Sequence, residues 1–103
     1  MVCVAALGAA GSSVRGRMRA AAVRHEVQLR AISFTPAERV VAVGDTVEGR
    51  NADIVRHNAV RLDLFETADL KPGERGSWVA ADTGSFAYRC TIHARMRGKI
   101  VVR

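Results

Sequence analysis

The sequence predicts an all-β protein, a Greek-key antiparallel β-sandwich of about seven to eight strands. From Glu26 onward the chain consists of short segments rich in β-branched and other apolar residues, with turn residues at close spacing. A single stretch, "ETADL", has the composition of a helical turn. At 103 residues the chain is long enough for one modest core, so we expect one domain.

The first strand segment is "EVQLRAISF", whose apolar residues change phase between Leu29 and Ile32. A change of phase within one strand predicts a bulge near Arg30 or Ala31. Pro36 then ends the segment, because proline cannot donate a hydrogen bond to a β-ladder. The remaining strands are predicted in "RVVAV", "TVEGR", "HNAVRLDLF", "SWVAA", "SFAYRC" and "GKIVV", with turns at "GD", "KPGERG" and "DTG".

Residues 1–22 differ in composition from the predicted domain at 23–103. They contain an apolar run followed by three arginines, and "RAAAV" offers small residues for processing near Ala20 to Val23. We therefore expect a degenerate or truncated export signal, and a periplasmic or otherwise extracytoplasmic location. The chain has no apolar stretch of 18 residues, which predicts no membrane span.

The formal net charge of +6 raises the question of a nucleic-acid partner, which the distribution of charge does not favour. Three of the sixteen basic residues lie in the tail, the others are scattered, and few aromatic side chains are available to stack on bases. The two cysteines, Cys3 and Cys90, do not make a disulfide framework. Cys90 therefore needs another explanation.

The stretch "YRCTIHARMRG" places Cys90, His93 and Met96 three residues apart, between two predicted strands. His57 begins an earlier strand, and loop ends of different strands meet at one pole of a sandwich. The sequence therefore predicts that His57 joins the other three. Met18 and His25 are further residues of ligand type without such a placement.

A thiolate, two imidazoles and a weak thioether suit copper in both oxidation states. Zinc is a poorer match, because structural zinc takes four strong ligands and a thioether is a weak one. A lone buried Cys and Met would most often belong to the packed core. A lone His would most often be a surface or core residue whose hydrogen bonds are satisfied. The combination favours a copper site over that simpler interpretation, because Cys90 closes one predicted strand, Met96 precedes the next by two residues and His57 begins an earlier one.

Residues 26–102 resemble the cupredoxins, the small blue copper proteins, in "FTPAERVVAVGDTVEGRNADIVRHNAV" and "FAYRCTIHARMRGKIVV". The short C-x-x-H-x-x-M spacing is most similar to the amicyanin type. The resemblance implies one type 1 copper ion held by His57, Cys90, His93 and Met96, with His93 partly exposed. It also implies that Asn58 ties the two ligand loops together by hydrogen bonds.

The resemblance implies a one-electron carrier between redox protein partners, a monomer and not an enzyme. Arg56, Arg95 and Arg97 lie beside the predicted ligands and suggest a partner with an acidic docking face. Two alternatives remain open: copper storage or delivery without electron transfer, and a partner-binding module that has lost its metal.

Two departures from the family pattern stand out. The family often has a Trp in the strand near residues 47–51, where this chain has "VEGRN", and Trp78 is a candidate to fill that part of the core. Ligand loops of the family commonly contain Pro, whereas "TIHARM" contains none. The second departure bears on the rigidity of the loop, and hence on the reduction potential.

Overall fold

The computed structural model describes residues 21–103, which form two β-sheets packed face to face. Most of the predicted tail at 1–22, with Cys3 and Met18, lies outside the described residues. Over the range 21–103 there is no helix, and hence none long and apolar enough to cross a membrane. The strands are β1 (Arg24–Arg30), β2 (Ser33–Thr35), β3 (Glu38–Val41), β4 (Thr46–Asn51), β5 (Val60–Arg61), β6 (Phe65–Glu66), β7 (Arg75–Val79), β8 (Gly84–Arg89) and β9 (Arg97–Val102).

The four-stranded sheet has the order β2-β1-β4-β7 and the five-stranded sheet the order β3-β9-β8-β5-β6. This arrangement confirms the predicted β-sandwich. Two pairings, β1 with β4 and β3 with β9, are parallel, so the sheets are mixed rather than purely antiparallel. The described range holds nine strands because two of the seven predicted segments each supply two. The segment "EVQLRAISF" divides into β1 and β2, and "HNAVRLDLF" contains β5 and the start of β6, joined by a turn in which Leu64 N–H donates to Arg61 O at 2.8 Å.

The predicted bulge near Arg30 or Ala31 is wrong. Strands β1 and β2 instead form a tight hairpin, closed by the pair Arg30 and Ser33. Ala31 and Ile32 occupy its two turn positions with φ of 54° and 56°. Paired positive φ values belong to the type I′ turn, whose twist matches that of the flanking strands. The turn reverses the chain. Leu29 and Phe34, which differ in phase along the sequence, therefore pair across the hairpin.

The core lies between the sheets and contains the inward side chains of both. Phe34 and Tyr88 meet edge to face across it, with ring centroids 4.6 Å apart. Trp78 packs against Phe65 with centroids 5.1 Å apart, yet it stays partly exposed. It does not fill the space beside Gly49, where a cavity of about 250 Å³ remains.

Three strand ends meet at one end of the sandwich. Strand β4 ends at Asn51, β8 ends at Arg89, and β9 begins at Arg97 directly opposite Arg89. Val60 of β5 pairs with the same Arg89. The segments that carry the predicted ligands are therefore the connections at this single end.

Candidate metal centre

Three potential metal ligands, His57, Cys90 and His93, meet at this end of the sandwich. Their ligand atoms all lie within 4.8 Å of one another. His57 comes from the connection between β4 and β5 and is held by a β-bridge to Leu70, with N–H···O distances of 3.2 and 2.8 Å. Cys90 and His93 follow β8. The structure thus brings His57 next to Cys90 and His93, which lie in a different segment of the chain.

The loop from Cys90 to Met96 closes on itself through its own backbone. Cys90 N–H donates to Met96 O at 3.0 Å, and Met96 N–H donates to His93 O at 2.9 Å. The side chains of Cys90 and Met96 are fully buried, and the Cys90 thiol is free. Cys90 Sγ lies 3.8 Å from Nδ1 of His93. The loop therefore presents a thiol and an imidazole nitrogen close to each other, and Met96 at its end is fully buried.

The His57 ring leaves one nitrogen without a partner. The residue is fully buried; its Nε2 lies 3.0 Å from Oδ2 of Asp53, and its Nδ1 has no hydrogen-bond partner. Because Asp53 accepts, the proton resides on Nε2 and Nδ1 carries a lone pair. A buried polar atom without a partner costs about 1–3 kcal/mol. A lone pair aimed into a cluster with a thiol and a second imidazole is a ready metal ligand, which fits a copper ion.

Asp53 holds the ring of His57 in place by a hydrogen bond from outside the cluster. Its carboxylate also accepts hydrogen bonds from the N–H groups of Ala31 at 2.9 Å and Ile54 at 2.7 Å. These bonds, first that from His57, lower the pKa of Asp53 from 3.8 to about 2. Sequence reasoning missed Asp53; the only available signal was an acid four residues before His57, which is too common to be specific.

Asn58 joins the two ligand segments. Its side-chain oxygen accepts from Thr91 N–H at 2.8 Å, and its Nδ2 lies 2.7 Å from Thr91 Oγ1 and 3.0 Å from Asp69 Oδ1. Thr91 follows Cys90 directly, so these bonds fix the segment of His57 to the segment of Cys90. The expected role of Asn58 is confirmed.

Asn51 organises the connection that leads to His57. It is fully buried, and its Nδ2 donates to the carbonyl oxygens of Val55 and Leu70, each at 2.8 Å. Its Oδ1 accepts from Asp53 N–H at 2.9 Å. A buried amide with all these partners makes a rigid loop. Sequence reasoning missed Asn51 as well, because an Asn at the end of a strand looks like an ordinary turn residue.

His25, the other described histidine, lies away from the cluster. Its Nε2 is 2.8 Å from Oδ2 of Asp45, and Arg39 Nε donates to its Nδ1 at 3.3 Å. His25 lies near the start of β1, whereas the cluster lies beyond the end of β4, to which β1 runs parallel. Both ring nitrogens are engaged, and the residue is a structural one.

The surface over the cluster is apolar with basic neighbours. Ile54, Val55 and Ile92 are exposed, Ile54 to 89%, and His93 is half-buried. These residues belong to the same two segments that carry the candidate ligands. The three predicted basic residues next to the ligands, Arg56, Arg95 and Arg97, are all exposed.

No family model matches the chain. The chain is 34% identical over 82 residues to the amicyanin of Paracoccus denitrificans; the alignment covers 74% of this chain, which spans 63% of the length of that relative. A reduced-state structure of an amicyanin mutant is 31% identical with a TM-score of 0.70, covering 82% of this chain and 83% of that one. A Cu(I) structure of another amicyanin mutant is 27% identical with a TM-score of 0.74, covering 78% and 82%.

Proposed function

This chain belongs to the cupredoxin family, and we propose that it is a type 1 copper protein that carries single electrons between larger redox proteins. The observation that carries the proposal is the buried Nδ1 of His57, which lacks a hydrogen-bond partner in a cluster with Cys90 and His93. The similarity to amicyanin, one mutant of which is known with Cu(I), supports it.

We assign four ligands. Nδ1 of His57, the thiolate of Cys90 and a ring nitrogen of His93 are the strong ones, and the thioether of Met96 is the weak one. A copper ion bound by this set cycles between Cu(I) and Cu(II) by one electron. Three strong ligands and a weak fourth leave no open position for a substrate, so we propose a carrier and not an enzyme.

The protein's own part is to hold these ligands still. Asp53 fixes the ring of His57 and keeps its proton on Nε2, while Asn58 fixes the Cys90 segment through Thr91. Ligands oriented by such hydrogen bonds would move little when a bound metal ion changed its oxidation state. A site that moves little on gaining an electron exchanges it quickly.

Electron exchange is expected at His93, the most exposed of the candidate ligands. Its apolar surroundings, Ile92 with Ile54 and Val55, suit close approach of a partner, and Arg95 beside it suits an acidic docking face. We propose that the protein acts as a monomer in the periplasm or another extracytoplasmic compartment, in keeping with its similarity to amicyanin.

The test is the visible absorption spectrum of the purified protein after addition of Cu(II). We expect one copper ion per chain and an intense blue colour from charge transfer between the Cys90 thiolate and copper. Cys90→Ser removes the thiolate and should abolish the colour, whereas Ser85→Ala on β8 serves as the control and should leave it unchanged. A colourless copper complex in the unmodified protein contradicts the proposal.

The same preparation distinguishes electron transfer from copper storage or delivery. A carrier loses and regains its colour in repeated cycles of reduction and oxidation without losing copper. Release of Cu(I) to an acceptor on the time scale of reduction would indicate delivery instead. Purified protein that takes up no copper would indicate a module that has lost its metal.

A further inference from the structure

A second candidate site lies in the core. The cavity of about 250 Å³ opens between the two sheets, and none of His57, Cys90, His93 and Met96 is among its lining residues. Small residues line it: Gly49 of β4 and Gly76 of β7, which are paired in one sheet, and Ala59, which directly precedes β5 of the other sheet. An inference about this cavity does not rest on the proposed copper site.

The walls are mainly apolar and include four aromatic rings. The rings of Phe34, Phe65, Trp78 and Tyr88 line the cavity together with aliphatic side chains such as that of Leu29. A cavity of about 150 Å³ with such a lining stays dry and binds benzene. An unfilled cavity of this kind destabilises a protein, since the lining atoms lack packing partners. A ligand that fills it therefore gains contacts without displacing tightly bound water.

The lining also determines the charge of a ligand. Among the described residues that line the cavity there is no Lys, Arg or His, and the ionisable ones are Glu66 and Tyr88. Burial raises the pKa of Tyr88 above its usual range, so the phenol stays neutral. An anionic ligand would lose its hydration without gaining a cation, which costs more than apolar contacts return. The cavity selects neutral molecules.

The cavity opens at the edge of the sandwich. Strands β6 and β7 are the edge strands of their sheets, and Glu66 and Ser77 at their rims are exposed. Thr67 packs against Gly76 at this opening: its Cγ2 lies only 2.7 Å from where a Cβ on Gly76 would stand. Its Oγ1 accepts from Ala59 N–H and donates to Ala68 O, each at 2.9 Å. The cavity is accessible from solvent past the exposed rim residues Glu66 and Ser77.

We propose that this cavity is a binding site for a small neutral aromatic molecule of the size of a substituted benzene. The aromatic rings of the wall favour edge-to-face and stacked contacts with such a ring. The rim residues Glu66 and Ser77 suit a single polar substituent directed outward.

The test uses the full chain as purified and a matched pair of probes, toluene and benzoate. We expect saturable toluene binding, seen as shifts of the methyl signals of Leu29, Val47 and Ile100 in NMR spectra and as a rise in the melting temperature. Benzoate has nearly the same shape with a negative charge and should bind at least tenfold more weakly. Equal binding of the two probes, or shifts that avoid these methyl groups, overturns the proposal.

Gly49→Leu places a side chain in the cavity from β4, and Ala59→Leu places one from the residue before β5. Two variants are used so that the test can still be made if only one of them folds. Each should weaken toluene binding at least tenfold. Arg50→Leu is the control: it introduces the same residue into β4 at a position that does not line the cavity, and should leave the affinity unchanged. Undiminished binding in the folded Gly49→Leu or Ala59→Leu variant contradicts the proposal.

Discussion

The carboxylate of Asp53 lies 3.0 Å from Nε2 of His57, the ring nitrogen opposite the one proposed to bind copper. Asp53 is 19% exposed and His57 is fully buried, so the bond reaches from the surface into the site. The same carboxylate holds the turn between β1 and β2 through Ala31 N–H. The side chain of Asp53 thus joins the β1–β2 hairpin to the connection after β4, and it also orients the ring of His57.

The charge of Asp53 should influence the reduction potential of the copper-loaded protein. A negative charge next to His57 favours Cu(II) over Cu(I), so Asp53→Asn should raise the potential by a few tens of mV. A tenfold change in a one-electron equilibrium corresponds to about 59 mV. Voltammetry measures the shift, and Asp63→Asn, at a carboxylate on the turn between β5 and β6, is the control. Equal potentials in the two variants would contradict this role.

The low pKa of Asp53 predicts a loss of stability in acid. The pKa is about 2 in the folded protein and 3.8 ordinarily, so folding favours the ionised form. The resulting stabilisation is fully present above about pH 4 and disappears as the pH falls to about 2. Urea unfolding of the copper-free protein at several pH values measures it. Asp53→Asn should flatten the curve in this window; parallel curves would rule the effect out.

Removal of the Asn58 side chain should loosen the link between the two ligand segments. Asn58 is 96% buried and bonded to Thr91 on both atoms of its amide, so Asn58→Ala should reduce the free energy of unfolding by about 1–3 kcal/mol. Thr91→Val removes only the hydroxyl and should cost less. A double-mutant cycle in the copper-free protein measures the coupling. Strictly additive effects would show that the two side chains act independently.

The hairpin turn at Ala31 and Ile32 is a position for stabilisation. A β-branched residue at positive φ is strained by about 1–3 kcal/mol, and a type I′ turn prefers Asn followed by Gly. Ala31→Asn together with Ile32→Gly should raise the free energy of unfolding by about 1–2 kcal/mol. Ile54→Gly replaces an exposed Ile that lacks a positive φ and should not stabilise. A destabilised turn variant would refute the assigned strain.

Electrostatic docking near His93 predicts rates that depend on salt. If the partner's face is acidic, electron transfer to an acidic redox protein should slow steeply as ionic strength rises from about 0.01 to 0.15 M, where the Debye length shrinks from about 30 to 8 Å. Arg95→Glu should slow it at low salt, whereas Arg24→Glu, near the far end of β1, should have little effect. Kinetics independent of salt would remove the argument for an acidic partner.

Much of the fold and the core of the site were predictable from the sequence because both depend on local patterns. Short apolar segments bounded by turn residues, such as "GKIVV", indicate strands, and three-residue steps in "CTIHARM" indicate a loop able to surround one ion. His57 was predicted to join Cys90 and His93 because strand ends meet at one pole of a sandwich, and the structure places these three residues together. Asn58 followed from the family resemblance, and the structure places it as expected.

Tertiary structure decided what depends on residues far apart in the chain. Asp53 braces His57 only because the hairpin at Ala31 folds beside the connection after β4, which no spacing in the sequence reveals. The same holds for the two parallel strand pairings, which arise where the chain crosses between sheets. The cavity beside Gly49 depends on the sum of side-chain volumes from both sheets, so the sequence indicated a missing large residue while only packing showed that Trp78 does not replace it.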